Sequence, residues 1–219
     1  MSDADTAQHW RTVYATKAAT AVSWHQPSPT PSLKLIAKTG LGPGARVIDV
    51  GGGASSLVDR LLDQGFQVCV LDIADNALEI ARSRLGERAQ GATWIVADIT
   101  DWRTSAQFDL WHDRAVFHFL TEPKPRARYL ATLKTVVVPG GWVVMATFAP
   151  SGPDRCSGLP VQRWSAEALT AELGEEFRLV ESAEETHETP GGARQAFTWT
   201  LFRRVVSAER RAAAAARRG

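Results

Sequence analysis

The sequence predicts an α/β fold: a doubly wound, seven-stranded, mostly parallel sheet with an antiparallel edge strand. Three observations carry that expectation. Short β-branched runs alternate with segments of helical period and crossover length, the pattern of parallel strand–helix–strand units. The first such run stops at three consecutive glycines, Gly51 to Gly53, directly before a helical pattern. At 219 residues and 44% hydrophobic, the chain suits one domain with a full core rather than two.

Each element follows from its own residues. "ARVIDV" (45–50) is the first strand, and "SSLVDRLLDQG" then places Leu57, Val58, Leu61 and Leu62 on one helical face before Gly65 ends it. "FQVCVLD" (66–72) is the second strand, "DNALEIARSRLG" (75–86) a helix stopped by Gly86, and "ATWIVAD" (92–98) the third strand. "QFDLWHD" (107–113) is the fourth. A helix over 124–138 turns Tyr129, Leu130 and Leu133 inward, Pro139-Gly140-Gly141 breaks it, and 141–148 is the fifth strand. Ser165 is placed to cap a short helix, and the period-two runs at 177–186 and 195–204, around a Pro-Gly-Gly turn, predict an antiparallel pair at the edge.

Three regions follow: an N-terminal lid or strap (1–30), a catalytic domain (31–206) and an Ala/Arg-rich tail (207–219). In the lid, Trp10, Tyr14, Trp24 and His25 occupy a stretch too polar and broken for a core helix, and such aromatics can close over a cation and exclude water. The formal charge is +1, yet residues 203–219 hold six arginines against one glutamate; removing that local +5 leaves −4 on residues 1–202. No basic field is spread over the body, so nucleic acid is not the expected partner. Cys69 in an apolar run and Cys156 in a polar loop do not make a disulfide framework, and no run reaches membrane-spanning length. A cytoplasmic protein with a small-molecule partner and no membrane contact is expected; the oligomeric state is left open.

Chemistry concentrates at strand ends. Asp49 stands two residues before Gly51, Asp72 ends the second strand 21 residues beyond Gly51, and Asp98 ends the third. Three carboxylates thereby gather at the crevice where open α/β sheets bind ligands. A carboxylate beside the glycine loop disfavours a pyrophosphate, since unit charges at 4 Å interact by roughly 4 kcal/mol at an effective dielectric of about 20. The same charge attracts a cation.

On these residues the chain resembles class I S-adenosylmethionine-dependent methyltransferases, whose fold is Rossmann-like, over roughly residues 30–205. "VIDVGGGAS" is similar to their first motif, "VCVLDIA" to their ribose-binding strand end, "IVADI" to their adenine contact and "VVVPGGWVVM" to the approach to their fifth strand; Ala54-Ser55 stands where a further small or glycine position is more usual. The resemblance implies S-adenosylmethionine as cofactor and S-adenosylhomocysteine as product. It further implies that Gly51 and Gly53 line the cofactor and that Asp49 lies near its methionine moiety. Asp72 would then bond the ribose, Ile73 pack on adenine, and Asp98 with Ile99 hold the adenine edge.

The fourth strand runs into "LWHDRAVFHFL" (110–120), an apolar stretch holding His112, Asp113, Arg114 and His118. In-line methyl transfer needs no metal, only a nucleophile held close and relieved of its proton. His112, Asp113 and His118 are therefore the catalytic candidates, with Asp113 orienting a histidine or the cofactor. "FDLWHDRAVFHFL" is also similar to a segment of small-molecule methyltransferases that carries a histidine. Arg114 pairs with Asp113 or a neighbouring acid, or binds an anionic substrate, and Tyr14, Trp24 and His25 complete the lid.

A histidine base near 6.5 suits a thiol, which costs about 2 kcal/mol to ionise at neutral pH, better than a lysine, which costs about 4.6 kcal/mol to deprotonate. Methyl transfer to a small thiol or sulfide is the leading expectation. Protein-lysine methylation is the alternative, because "DRAVFH" (113–118) resembles a D-K-G-T-aromatic-acid motif of lysine methyltransferases acting on elongation factors and citrate synthase. Here, however, Ala115, Val116 and His118 replace its glycine, threonine and acid. A non-catalytic S-adenosylmethionine-binding protein is the third possibility.

Overall fold

The computed structural model describes residues 3–205, so the Ala/Arg-rich tail lies outside the described residues. Two helices, α1 (Asp3–Thr16) and α2 (Thr30–Lys38), precede the sheet. Then β1 (Arg46–Val50), α3 (Leu57–Asp63), β2 (Gln67–Asp72), α4 (Asp75–Leu85) and β3 (Ala92–Val96) build two crossover units. They are followed by β4 (Phe108–Arg114), α5 (Pro123–Val136), β5 (Val137–Phe148), α6 (Ala166–Leu173), β6 (Phe177–Glu188) and β7 (Arg194–Arg204). A two-residue hairpin, 155–156 against 159–160, sits between β5 and α6.

The seven strands order as β3-β2-β1-β4-β5-β7-β6. The first five are parallel, while β7 runs antiparallel to both β5 and β6. The chain reverses its direction of travel across the sheet between β1 and β4. That reversal opens a crevice at the carboxyl ends of the strands.

Helices cover both faces, as parallel strands require. On one face Leu35 and Ile36 of α2, Leu57, Val58 and Leu61 of α3 and Leu78 of α4 pack on Val47, Val70 and Leu110. On the other, Tyr129 and Leu133 of α5 and Leu169 and Leu173 of α6 pack on Ile48, Trp111 and Met145. Strand alternation therefore persists through β4: Leu110 and His112 face α2, while Trp111 and Asp113 face α5.

Most boundaries match the sequence expectation within two residues, and Ser165 caps α6 by accepting from the Ala168 N–H at 3.2 Å. Three differ for physical reasons. β5 starts at Val137, not Gly141, because Val137 pairs with Phe108; Pro139 and Gly140 (φ +76°) then bulge out before Trp142 resumes pairing with Leu110. β3 ends at Val96, because the Asp98 carboxylate accepts from the Thr100 N–H at 2.7 Å and turns the chain. The lid segment is more regular than its polar sequence suggests: residues 3–16 are helical and are tied to α4 by Arg11–Asp75 at 2.9 Å and by the Asn76 side-chain N–H to the Arg11 carbonyl at 2.8 Å.

Candidate active site

The glycine loop leaves β1 with its backbone turned toward the crevice. Gly51 has φ +65° and Gly53 φ +44°, conformations that L side chains rarely adopt. Space forbids a side chain as well: a Cβ on Gly51 would lie 2.0 Å from a Val116 methyl, and one on Gly53 2.7 Å from the Tyr14 hydroxyl. The Gly51 N–H donates to the Leu71 carbonyl at 2.7 Å, locking the loop to the end of β2. Arg84 of α4 closes its far side by donating to the carbonyls of Ala54 (2.8 Å) and Ser55 (2.7 Å) while pairing with Asp59.

The three acids occupy distinct environments. Asp72 is 6% exposed and accepts from the Ala74 N–H at 2.9 Å. Burial, reinforced by the negative Asp49, lifts its carboxyl to about 7 against the backbone donors of Ala74, Gly53 and Ile73. Asp49 is bonded on one side only: Oδ1 lies 2.7 Å from His112 Nδ1, and buried Oδ2 has no partner. Asp98 serves as a turn cap and also faces the cavity.

The catalytic candidates separate on inspection. His112, 3% exposed, is held at both nitrogens, with Nε2 2.9 Å from Ser32 Oγ of α2. A carboxylate can only accept, so His112 donates to Asp49 from Nδ1. The Ser32 hydroxyl occupies the other ring nitrogen, Nε2. Asp113 is fully buried on the opposite face, where it accepts from the Val116 N–H (2.8 Å), the Phe117 N–H (3.1 Å) and the Tyr129 hydroxyl. Desolvation nevertheless lifts its carboxyl to about 6. Asp113 thus fastens the turn after β4 to α5 and points away from the crevice.

His118 is fully buried between Phe119 and Phe148, with ring centroids at 4.5 and 4.7 Å. Its Nδ1 accepts from the Phe148 N–H at 3.2 Å, so the ring proton resides on Nε2, which has no partner. Burial, with the nearby positive charge of Arg114, lowers its pKa to about 3. Neither histidine offers a free basic nitrogen to the crevice.

The lid aromatics do converge there. Trp10 packs edge-on against Trp24 (5.6 Å) and Phe119 (5.1 Å), and Tyr14 against Trp24 (5.9 Å). Together with Phe148 and Phe197 they wall the outer half of a cavity whose inner half is lined by Gly51, Asp72, Ile73, Asp98 and Ile99. Tyr14, Trp24 and Arg114 also border an adjoining cleft that reaches His25, Asp49, the Gly52 backbone and His112.

Arg114 is not paired with Asp113. It donates from Nη1 to the Trp24 carbonyl at 2.8 Å and lies over the Phe197 ring at 5.0 Å. Ser32, Arg84, Gln195 and Phe197 are site residues that no sequence signal announces. Each reaches the site from an element whose docking is decided only by the tertiary fold.

Comparison with known proteins follows this geometry. Residues 47–141 match a family model described as a methyltransferase domain. Nodulation protein S of Rhizobium tropici is 26% identical over 154 residues, 68% of this chain and 61% of that protein. A ubiquinone biosynthesis O-methyltransferase of Burkholderia thailandensis is 30% identical over 107 residues, 48% of this chain and 45% of that one. The chain thus spans less than two thirds of the length of these curated relatives.

Among solved structures, one described for the conversion of a disulfide bond into a thioacetal group during echinomycin biosynthesis superposes with a TM-score of 0.74 at 22% identity, covering 97% of this chain and all of that one. The N-methyltransferase NodS of Bradyrhizobium japonicum in complex with S-adenosyl-L-homocysteine superposes at 0.67 with 18% identity, covering 89% and 97%. At these identities the likeness is one of fold.

Proposed function

Since the chain belongs to the class I S-adenosylmethionine-dependent methyltransferases by its domain match and its fold, we propose that it binds S-adenosylmethionine and methylates a small molecule. The observation that carries this reading is the two-part cavity, with strand-end carboxyls and a glycine loop in one half and an aromatic chamber in the other.

The inner half suits that cofactor on its own evidence. Asp72 is a carboxyl whose burial outweighs its backbone donors, an imbalance that two ribose hydroxyls would ease. Beside it, in the adjoining cleft, the Asp49 Oδ2 is a second buried acceptor without a partner, open to an amino group. Ile73 and Ile99 supply apolar contact beside Asp98, and the Gly51 backbone lines the same wall. When bound, S-adenosylmethionine supplies a methyl group on a positively charged sulfur. Trp10, Tyr14 and Trp24 exclude water from the chamber and present ring faces that favour a cation. His112 positions Asp49, and Asp113 positions the turn carrying Val116 against Gly51.

With His118 neutral and its lone pair engaged, deprotonation of the acceptor is not assigned to a histidine. An acceptor that ionises cheaply is then favoured, and a thiol near 8.5 costs about 2 kcal/mol at neutral pH against about 4 kcal/mol for a phenol near 10. A small thiol or sulfide remains the preferred acceptor on that ground. A hydroxylated aromatic is the second reading, favoured by the O-methyltransferase relatives. The lysine reading lacks its acid-lined channel, since the carboxyls lining the cavity, Asp72 and Asp98, belong to the inner half.

Release of S-adenosylhomocysteine should be measured against sulfide, methanethiol, aromatic thiols, hydroxylated aromatics and extract protein in parallel. Release with thiols, retained in His118→Gln, is the expected result. Turnover with hydroxylated acceptors alone would overturn the thiol assignment, and label appearing only in protein would overturn the small-molecule reading.

A further inference from the structure

Arg114 is the last residue of β4 and lines both the cavity and the adjoining cleft. One of its three nitrogens, Nη1, is engaged by the Trp24 carbonyl. Nε and Nη2 are shielded from solvent and have no hydrogen-bond partner. Glu185 acts on this charge only through its field, without an ion pair, and Lys17 joins Arg114 in acting on Cys156. His187 feels the charge of Arg114 as well. Burial lowers the guanidinium to about 10, which leaves it charged at neutral pH.

A buried charge with two unsatisfied donors is costly unless something completes it. The free pair has a definite shape. Nε–H and Nη2–H form one edge of the guanidinium plane, where two parallel donors match the two oxygens of a carboxylate. Phe197 covers one face of that plane, so a partner approaches in the plane, alongside the flat walls of Trp24 and Phe148.

We propose that the methyl acceptor carries a carboxylate, which Arg114 grips through Nε and Nη2, on a flat apolar body lodged in the aromatic chamber. The inference rests on the reading of that chamber as the acceptor half. The carboxylate is the anchor and not the nucleophile, because an oxyanion holding two charge-assisted hydrogen bonds has its lone pairs engaged. Arg114 is accordingly a specificity-determining residue, and the methylated thiol or hydroxyl sits elsewhere on the same molecule.

The test is calorimetric titration of benzoate and its neutral isostere benzamide into the full-length protein, with and without S-adenosylhomocysteine. Wild type is expected to bind benzoate at least tenfold tighter than benzamide. Arg114→Met should lose that preference, and Arg114→Lys, which keeps the charge without the paired edge, should retain only a few-fold, with circular dichroism checking that both variants fold. Equal binding of the two ligands by wild type overturns the proposal, whatever the variants do. So does a benzoate preference that survives in Arg114→Met. In turnover, 4-mercaptobenzoate should exceed thiophenol at least tenfold in kcat/KM, and parity between them counts against the anchor. Absence of transfer to every acceptor would instead sink the methyltransferase reading and leave the benzoate result standing.

Discussion

Asp72 is a carboxyl whose burial outweighs its backbone donors, and that imbalance makes it responsive to both ligand and pH. Its value of about 7 lies above the unfolded reference near 3.8, so its contribution to folding is fully present below that reference and is lost as pH rises through 7. Hydroxyl donors favour the ionised form. Binding of S-adenosylhomocysteine should therefore release a proton below pH 7, with affinity falling up to tenfold per pH unit below that point and level above it. Asp72→Asn should weaken binding about 10- to 100-fold at pH 8, the worth of one or two charge-assisted hydrogen bonds, and should flatten the pH profile. Calorimetry in buffers of different ionisation heat reads both effects. At this scale the strand-end acids and the glycines are legible in the sequence, because a carboxylate two residues before a glycine turn is a local pattern. The duties of His112 and His118 are not, because they depend on Ser32, 80 residues from His112, and on a backbone N–H of β5.

Among the elements, the glycine loop and the turn after β4 behave as one packed unit. Gly51 cannot accept a side chain without displacing Val116, and Val116 is held by its N–H to Asp113. Gly51→Ala combines the left-handed backbone cost of about 1–2 kcal/mol with an overpacking cost of about 1–3 kcal/mol. The expected loss of stability is about 2 kcal/mol or more by urea unfolding. In a Val116→Ala background the same substitution should cost less, because only the backbone part remains. Ala115, with φ +73°, holds a left-handed backbone with an alanine, at the position where the lysine-methyltransferase motif has glycine. Periodicity and glycine stops locate the elements well, but they misplace the start of β5. Pro139 and Gly140 read as a break in sequence, whereas pairing of Val137 with Phe108 draws them into the strand as a bulge.

Across the whole molecule, the strand order follows from alternating elements and short crossovers, and the expected antiparallel pair at 177–186 and 195–204 takes its place at the sheet edge. Where the N-terminal helix docks was hidden, because α1 is joined to α4 by contacts far apart in sequence, such as Arg11 with Asp75. A ligand filling the inner cavity touches β1, β2 and the turns after them, so it should stabilise the molecule as a unit. At 100 times its dissociation constant S-adenosylhomocysteine should add about 2.7 kcal/mol, a rise in Tm of roughly 5–11 °C for a chain of this size. Scanning calorimetry checks it, and no shift at saturating ligand would count against cofactor binding.

The two halves of the cavity are drawn from different stretches of chain. The inner wall comes from residues 51–99, inside the matched family segment, whereas Trp10, Tyr14, Trp24, Phe148, Cys156, Gln195 and Phe197 of the outer wall all lie outside residues 47–141. Arg114, Val116 and Phe119 join the two. Selection can thus rewrite one wall while leaving the other intact. On the proposed function, a chimera exchanging the flanking segments around a constant 47–141 would keep its hold on the cofactor and its Arg114 anchor, and would take the rest of its acceptor preference from the flanks.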